Sequence, residues 1–137
     1  MSNSLTVSAD IAASGMRVQA ERLKVISQNM ANADSVSDVP GGEPYRRQVV
    51  SFQNYVDQET GAQMVRVNKI QHDNSQFEKK YEPNHPAADA NGYVLLPNVN
   101  PLIEMMDMKE AQRAYDANMN MMRTVREMSS ATLDILK

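Results

Sequence analysis

The chain has 137 residues, one domain's worth, with 14 basic and 17 acidic side chains and a formal net charge of −3. Both signs are spread evenly along it, so no basic patch exists to follow a phosphate backbone and nucleic acid is excluded as a partner. The absence of cysteine removes disulfides, thiol chemistry and thiolate metal sites.

Only 27 residues are Leu, Ile, Val or Phe, and there is no Trp. Eleven Met fill part of the gap, but Met is a flexible filler that specifies packing poorly. A core this thin is expected to be finished by partners. No apolar run approaches the ~20 residues of a bilayer span, so direct membrane insertion is not expected. The first residues have neither the basic nor the apolar region of a Sec signal peptide.

Residues 4–33 predict one helix, with Ser4 as a possible cap. Ala9, Ala12, Met16, Leu23, Ile26 and Met30 fall on alternating steps of three and four, a heptad stripe broken only by Gln19. Ser14 and Gly15 thin that ridge, and a mid-helix Gly costs ~1 kcal/mol against Ala. Gly15 is therefore either a tolerated defect or the place where another backbone comes close. The helix then ends on "ISQNMANADS", on amides instead of a glycine stop. Asn29 and Asn32 are expected either to satisfy the last carbonyls or to reach a neighbouring subunit, with Asn32 as a left-handed C-cap the plainer alternative.

Residues 41–97 change character. "GGEP" carries turn chemistry, and "YRRQVVSF", "QMVRVNKI", "FEKKYE" and "GYVLLP" read as short strands separated by "DQETGA", "HDNS" and the longer loop "PNHPAADANG". The pairs Arg46-Arg47 and Lys79-Lys80 read as a solvated strand edge.

Residues 101–137 predict a second, longer helix, with Asn100 as N-cap and Pro101 in the first turn. One stripe runs Met108, Ala111, Tyr115, Asn118, Met122, Val125, Ser129, Thr132, Leu136. A second runs Ala114, Ala117, Met121, Thr124, Met128, Ala131, Ile135, about 100° around the wheel. A helix packing on one neighbour needs one stripe, and the chain has only two helices. Spare apolar face is therefore expected for other chains.

Catalysis has little to stand on. His72-Asp73 and His85…Asp89 are the only His–carboxylate groupings, and Pro86 argues against a helix that would align the latter pair on a metal. No nucleophile elbow and no phosphate-cradling glycine loop occur. His85 is better read as fixing a loop through hydrogen bonds. No metal, no cofactor and no enzymatic activity are expected.

Four segments then carry a resemblance. "DIAASGMRVQAERLKVISQNMANADS" (10–35) is similar to the N-terminal signature of bacterial flagellar axial proteins, the rod and hook subunits. "GGEPYRRQVV" (41–50), "YEPNHPAADANGYVLLPNVN" (81–100) and "EMMDMKEAQRAYDANMNMM" (104–122) resemble the proximal-rod branch of that family. The resemblance implies a mainly α fold with a small β insertion, the two long terminal helices pairing as a coiled-coil-like hairpin. Residues 1–36 and 98–137 would be axial helices and 37–97 a β-rich, outward-facing middle. It also implies a structural rod subunit, exported by the flagellar type III apparatus to the periplasm. There it would join the other proximal and distal rod proteins, the basal-body protein linking rod to membrane ring, and copies of itself. Subunit-interface residues are then expected among Ala9, Ala12, Gly15, Met16, Leu23, Ile26, Asn29, Met30 and Asn32 on the first helix. On the second they are expected among Met108, Ala111, Tyr115, Asn118, Met121, Met122, Val125, Met128, Ile135 and Leu136. A small helical adaptor or chaperone that binds an amphipathic partner helix is the rival reading.

Overall fold

The computed structural model describes residues 2–135; Met1, Leu136 and Lys137 lie outside it. The elements run α1 (Ser2–Ala31), β1 (Gln48–Val56), β2 (Gln63–His72), β3 (Glu78–Tyr81), β4 (Tyr93–Leu96) and α2 (Pro101–Ile135). The fold is mainly helical with a small β insertion. β1 pairs with β2 and β3 with β4, as two separate two-stranded sheets. Helix α1 starts two residues before the expected cap, and Ser4 sits inside it, its carbonyl accepting from Ser8 Oγ at 2.9 Å. At α2 the expected cap is present: Asn100 Oδ1 accepts from the N–H groups of Leu102 and Ile103 at 3.0 and 3.4 Å, and Pro101 takes the first position.

The chain divides into two compact units, and α1, β1, β2 and α2 each contribute to both. The first unit comprises residues 1–23, 50–69 and 109–137. Here α1 and α2 pair antiparallel: Arg22 meets Glu110 at 3.3 Å, and Gly15 lies under Asn118. Ala12, Ala111 and Val125 are buried in this unit. The notch at Gly15 is filled by a side chain of the same protein. A Cβ there would stand 2.7 Å from Asn118 Nδ2. The hairpin covers a different side of α1. Buried Ser14 donates to the Ile11 carbonyl at 2.7 Å and accepts from the Val65 N–H at 3.4 Å, while Val18 and Met64 are buried nearby in the chain's apolar core. The hairpin tip is closed by Asp57 and Ala62, with Gly61 at φ +69° and Asp57 Oδ2 accepting from both the N–H and the hydroxyl of Thr60. These bonds, the Thr60 hydroxyl first, hold the Asp57 carboxyl below its usual pKa.

The second unit comprises residues 24–49 and 70–108. β3 and β4 pair antiparallel from Glu78↔Leu96 to Tyr81↔Tyr93, whose rings meet edge to face at 5.2 Å. The segment after α1 turns at Val39–Gly42, with Pro40 and Gly41 (φ +69°) in the central positions, and Gly41 N–H ties it to the Ala87 carbonyl. His85 does hold its loop: its Nδ1 accepts from the Ala87 N–H at 3.0 Å. Gly92, at φ +83°, completes the turn into β4, where a Cβ would meet Tyr81 Cε2 at 2.9 Å and Pro83 Cβ at 3.1 Å. Both a left-handed backbone and a crowded ring oppose any side chain. Gly92→Ala is expected to cost about 1–3 kcal/mol, read as a lower urea midpoint with unchanged slope.

Candidate assembly surface

Helix α2 wears its two stripes differently. On the first, Ala111 and Val125 are buried, and Met108, Tyr115, Asn118, Met122 and Thr132 are half-buried. The second is bare from Ala117 onward: Met121 is 54% exposed, Met128 53% and Ile135 84%, with Thr124 and Ala131 exposed between them. Three large apolar side chains at seven-residue spacing thus form a line that nothing among the described residues covers. Beside it, Ala13, Met16, Ala20, Tyr115 and Met122 line an open, mainly apolar groove between the paired helices. In the second unit the first turns of α2 show a further run, Leu102, Ile103, Met105 and Met106, all exposed. Isolated exposed apolar residues are ordinary, but a helical line of them marks an interaction face.

Within that second unit, the one residue of the α2 start that turns fully inward is charged. Glu104 is completely buried. Its Oε1 pairs with Arg47 Nε, and its Oε2 accepts from Asn29 Nδ2 at 3.2 Å. Arg47 also reaches Asp73 at 3.4 Å and Asp107 at 3.5 Å. Burial opposes the guanidinium charge, but the hydrogen bond and charge of Glu104, then those of Asp73, outweigh it and raise the Arg47 pKa. Asn29 is the hub on the other side. It holds the peptide of Gln48 at both ends, Nδ2 donating to the carbonyl at 2.8 Å and Oδ1 accepting from the N–H at 2.9 Å, and Oδ1 also accepts from Tyr45 Oη at 2.9 Å. Burial, then the Glu104 carboxylate, push the Tyr45 phenol above its usual pKa, so it stays a neutral donor. Asn98 completes the frame, accepting from the Arg47 N–H at 2.7 Å and donating to the Asp73 carbonyl at 2.9 Å. One network thus fastens the end of α1, the entry to β1, the loop after β2 and the start of α2.

The amide-rich end of α1 is thereby explained within the chain. Asn32 is not left-handed, since no non-glycine residue among those described has a positive φ. It follows the last residue of α1, and its Nδ2 donates to the Gln28 carbonyl at 2.8 Å. Of the other residues expected at an interface, Ala12 and Ile26 are buried inside the chain, while Ala9, Gly15, Met16, Leu23 and Met30 are half-buried. Leu136 lies outside the described residues.

The Arg46-Arg47 pair departs from its expected role as a solvated edge. Arg46 stacks on Phe77 with its guanidinium 4.2 Å from the ring centroid and donates to the Asp73 carbonyl, while Arg47 is the cation of the network. Lys79 and Lys80 are exposed on β3. His72-Asp73 is likewise divided, the aspartate serving Arg47. Among the described residues no cluster of three or more potential ligands is poised for a metal, and no helix is long and apolar enough to cross a membrane.

Known sequences match the chain over most of its length. Residues 90–135 match the family model described as flagellar basal body rod FlgEFG protein C-terminal. Over nearly its full length the chain is 47% identical to the flagellar basal-body rod protein FlgC of Agrobacterium fabrum, covering 97% of this chain and 96% of that one. The chain belongs to the FlgC family of flagellar basal-body rod proteins. FlgC of Salmonella typhimurium is 44% identical over 92% of this chain and 93% of its own, and FlgC of Bacillus subtilis 37% over 95% and 97%. This membership makes the chain a structural rod protein and not an enzyme, in keeping with the resemblance carried by residues 10–35, 41–50, 81–100 and 104–122.

The sequence reading missed the network's ionic half. Glu104 stands alone among Leu102, Ile103, Met105 and Met106, and a single carboxylate in an apolar run, with an Arg pair elsewhere in the chain, is the signal that was available. It also missed Val18 and Val25, buried on α1 one step off the heptad stripe.

Proposed function

We propose that this chain is a subunit of the flagellar proximal rod, which assembles with copies of itself and with the other rod proteins and transmits torque through interlocked helices. The observation that carries this is the uncovered second stripe of α2, Met121, Met128 and Ile135, on a helix whose first stripe is already used inside the chain. A helix bare along one apolar line needs a neighbour, and in a rod that neighbour is another axial helix. In this reading residues 1–36 and 98–137 are the axial segments that border the export channel, and 37–97 faces outward. The protein works in the periplasmic part of the basal body after type III export, next to the proximal and distal rod subunits and the protein that joins rod to membrane ring. Its interface draws on the half-buried residues of both helices, Ala9, Met16, Leu23, Met30, Met108, Tyr115 and Met122, as well as on the bare stripe.

The test is fractionation. A tagged copy, expressed in a flagellated host deleted for its own proximal-rod gene of this family, should restore motility and co-purify with detergent-extracted hook–basal bodies. A chain that stays wholly soluble as a compact monomer or dimer, bound to one amphipathic partner, would establish the adaptor reading instead.

A further inference from the structure

Asn91 is the only asparagine in the chain that is followed by glycine. In an Asn-Gly pair the next backbone nitrogen can attack the asparagine side chain freely, because glycine has no Cβ to obstruct the approach. The reaction is intramolecular. Gly92 N forms a bond to Asn91 Cγ while the Cγ–Nδ2 bond breaks, and ammonia leaves with the proton that Gly92 N sheds. Water then opens the five-membered imide at either carbonyl. The product is an aspartyl residue or an isoaspartyl one, whose backbone is longer by one carbon.

The fold of the second unit keeps these two groups from reacting. Asn91 is exposed, but the attacking nitrogen belongs to buried Gly92. Gly92 N–H donates to the Asp89 carbonyl at 3.0 Å, and the Gly92 carbonyl accepts from the Glu82 N–H at 2.9 Å. Asp89 Oδ1 accepts from the N–H groups of Asn91 and Tyr93 at 2.9 and 3.0 Å, pinning the backbone on either side of Gly92. The N–H that must lose its proton is therefore engaged. The Asn91–Gly92 peptide cannot swing onto the side chain without opening the turn.

We propose that Asn91 is a self-modifying deamidation site, which the turn from Asp89 to Gly92 holds shut in the folded chain. The folded rate is then the unfolded rate multiplied by the fraction of time the turn spends open. The isoaspartyl product is a lasting mark. Its extra backbone carbon displaces Gly92 from a place where Tyr81 and Pro83 already close on it, so Tyr93 cannot return to its register opposite Tyr81. The site records time spent unfolded and keeps marked chains out of the folded pool. It needs no partner chain.

The test is peptide mapping by mass spectrometry of the full chain, incubated at mildly alkaline pH either folded in buffer or unfolded in guanidinium chloride. Deamidation at Asn91 should be at least ~10-fold slower in the folded chain. Equal rates overturn the gate, and no reaction in the unfolded chain overturns the site. Asp89→Ala should speed the folded reaction about 3–10-fold and leave the unfolded rate unchanged. Asp89→Asn, which keeps an oxygen for both N–H groups, should stay protected. An Asp89→Ala chain protected as well as wild type overturns the clamp. After dilution from denaturant, the isoaspartyl form should be at least ~10-fold depleted from the folded fraction. Asn91→Asp, which adds the charge without lengthening the backbone, should refold like wild type. An isoaspartyl chain that refolds as readily as the unmodified one overturns the mark.

Discussion

Replacing Met121 and Met128 together by Glu should leave the chain folded and remove it from the rod. Both side chains are more than half exposed, so the free protein loses little: surface substitutions of this kind usually stay within about ±0.5 kcal/mol each, and the far-ultraviolet spectrum and melting midpoint should hardly move. The assembled state is different. Two carboxylates seven residues apart would enter a packed helical interface without cations to meet them, at several kcal/mol for the pair. Recovery of the variant in hook–basal bodies should fall at least ~100-fold, since each 1.4 kcal/mol is a factor of ten. Gln58→Glu, at the exposed hairpin tip, adds the same kind of charge and should assemble normally. If the double variant enters basal bodies as well as the wild type, the second stripe is not an interface.

The two helices were legible because their signals are local and periodic. The doubled stripe on α2 needs only the 3.6-residue repeat, and the structure buries or half-buries most of the first stripe while leaving the C-terminal half of the second bare. On α1 the same repeat misled. Its second covered line reads Ser14, Val18, Val25, Asn29, and the polar ends disguise it as surface. Those ends are buried because backbone meets them, Val65 at Ser14 and Gln48 at Asn29. Periodicity reports which faces are apolar, but it is silent about a polar side chain whose partner is a peptide group many residues away. The Arg47–Glu104 pair is hidden for the same reason: fifty-seven positions separate its members, and each alone resembles ordinary solvated charge. The strands, in contrast, were legible as elements, from β-branched and aromatic runs between turn residues.

Removing Arg47 should be the most damaging single change in the second unit. Glu104 is wholly buried and charged, and Arg47 is its only cation among the described residues. Arg47→Ala strands that carboxylate, and also leaves Asp73 and Asp107 facing it without the positive charge between them. The expected cost is about 3–5 kcal/mol, seen as a fall in the urea midpoint of the purified chain. Glu104→Gln is milder but not neutral. Each carboxylate oxygen accepts from a different donor, Arg47 Nε and Asn29 Nδ2, so the amide nitrogen of Gln must face one of them donor to donor. About 1–3 kcal/mol should be lost. Acid should act in the same place. The Ser75 N–H above all holds the Asp73 carboxyl below its ordinary pKa; burial opposes it next, and the Ser75 hydroxyl and then Arg47 add to the depression. A depressed folded pKa means that this stabilisation is complete above the unfolded value near 3.8 and disappears as pH falls through the folded one. In Arg47→Ala part of the depression is gone, so the acid limb of the stability curve should flatten relative to wild type. An unchanged acid limb would mean that Asp73 is held by Ser75 alone. Under the proposed torque-bearing role the network has a mechanical reading as well. Asn29, Arg47 and Glu104 fasten two helix ends and a strand entry within one unit, so loosening any one of them frees the segments that they hold.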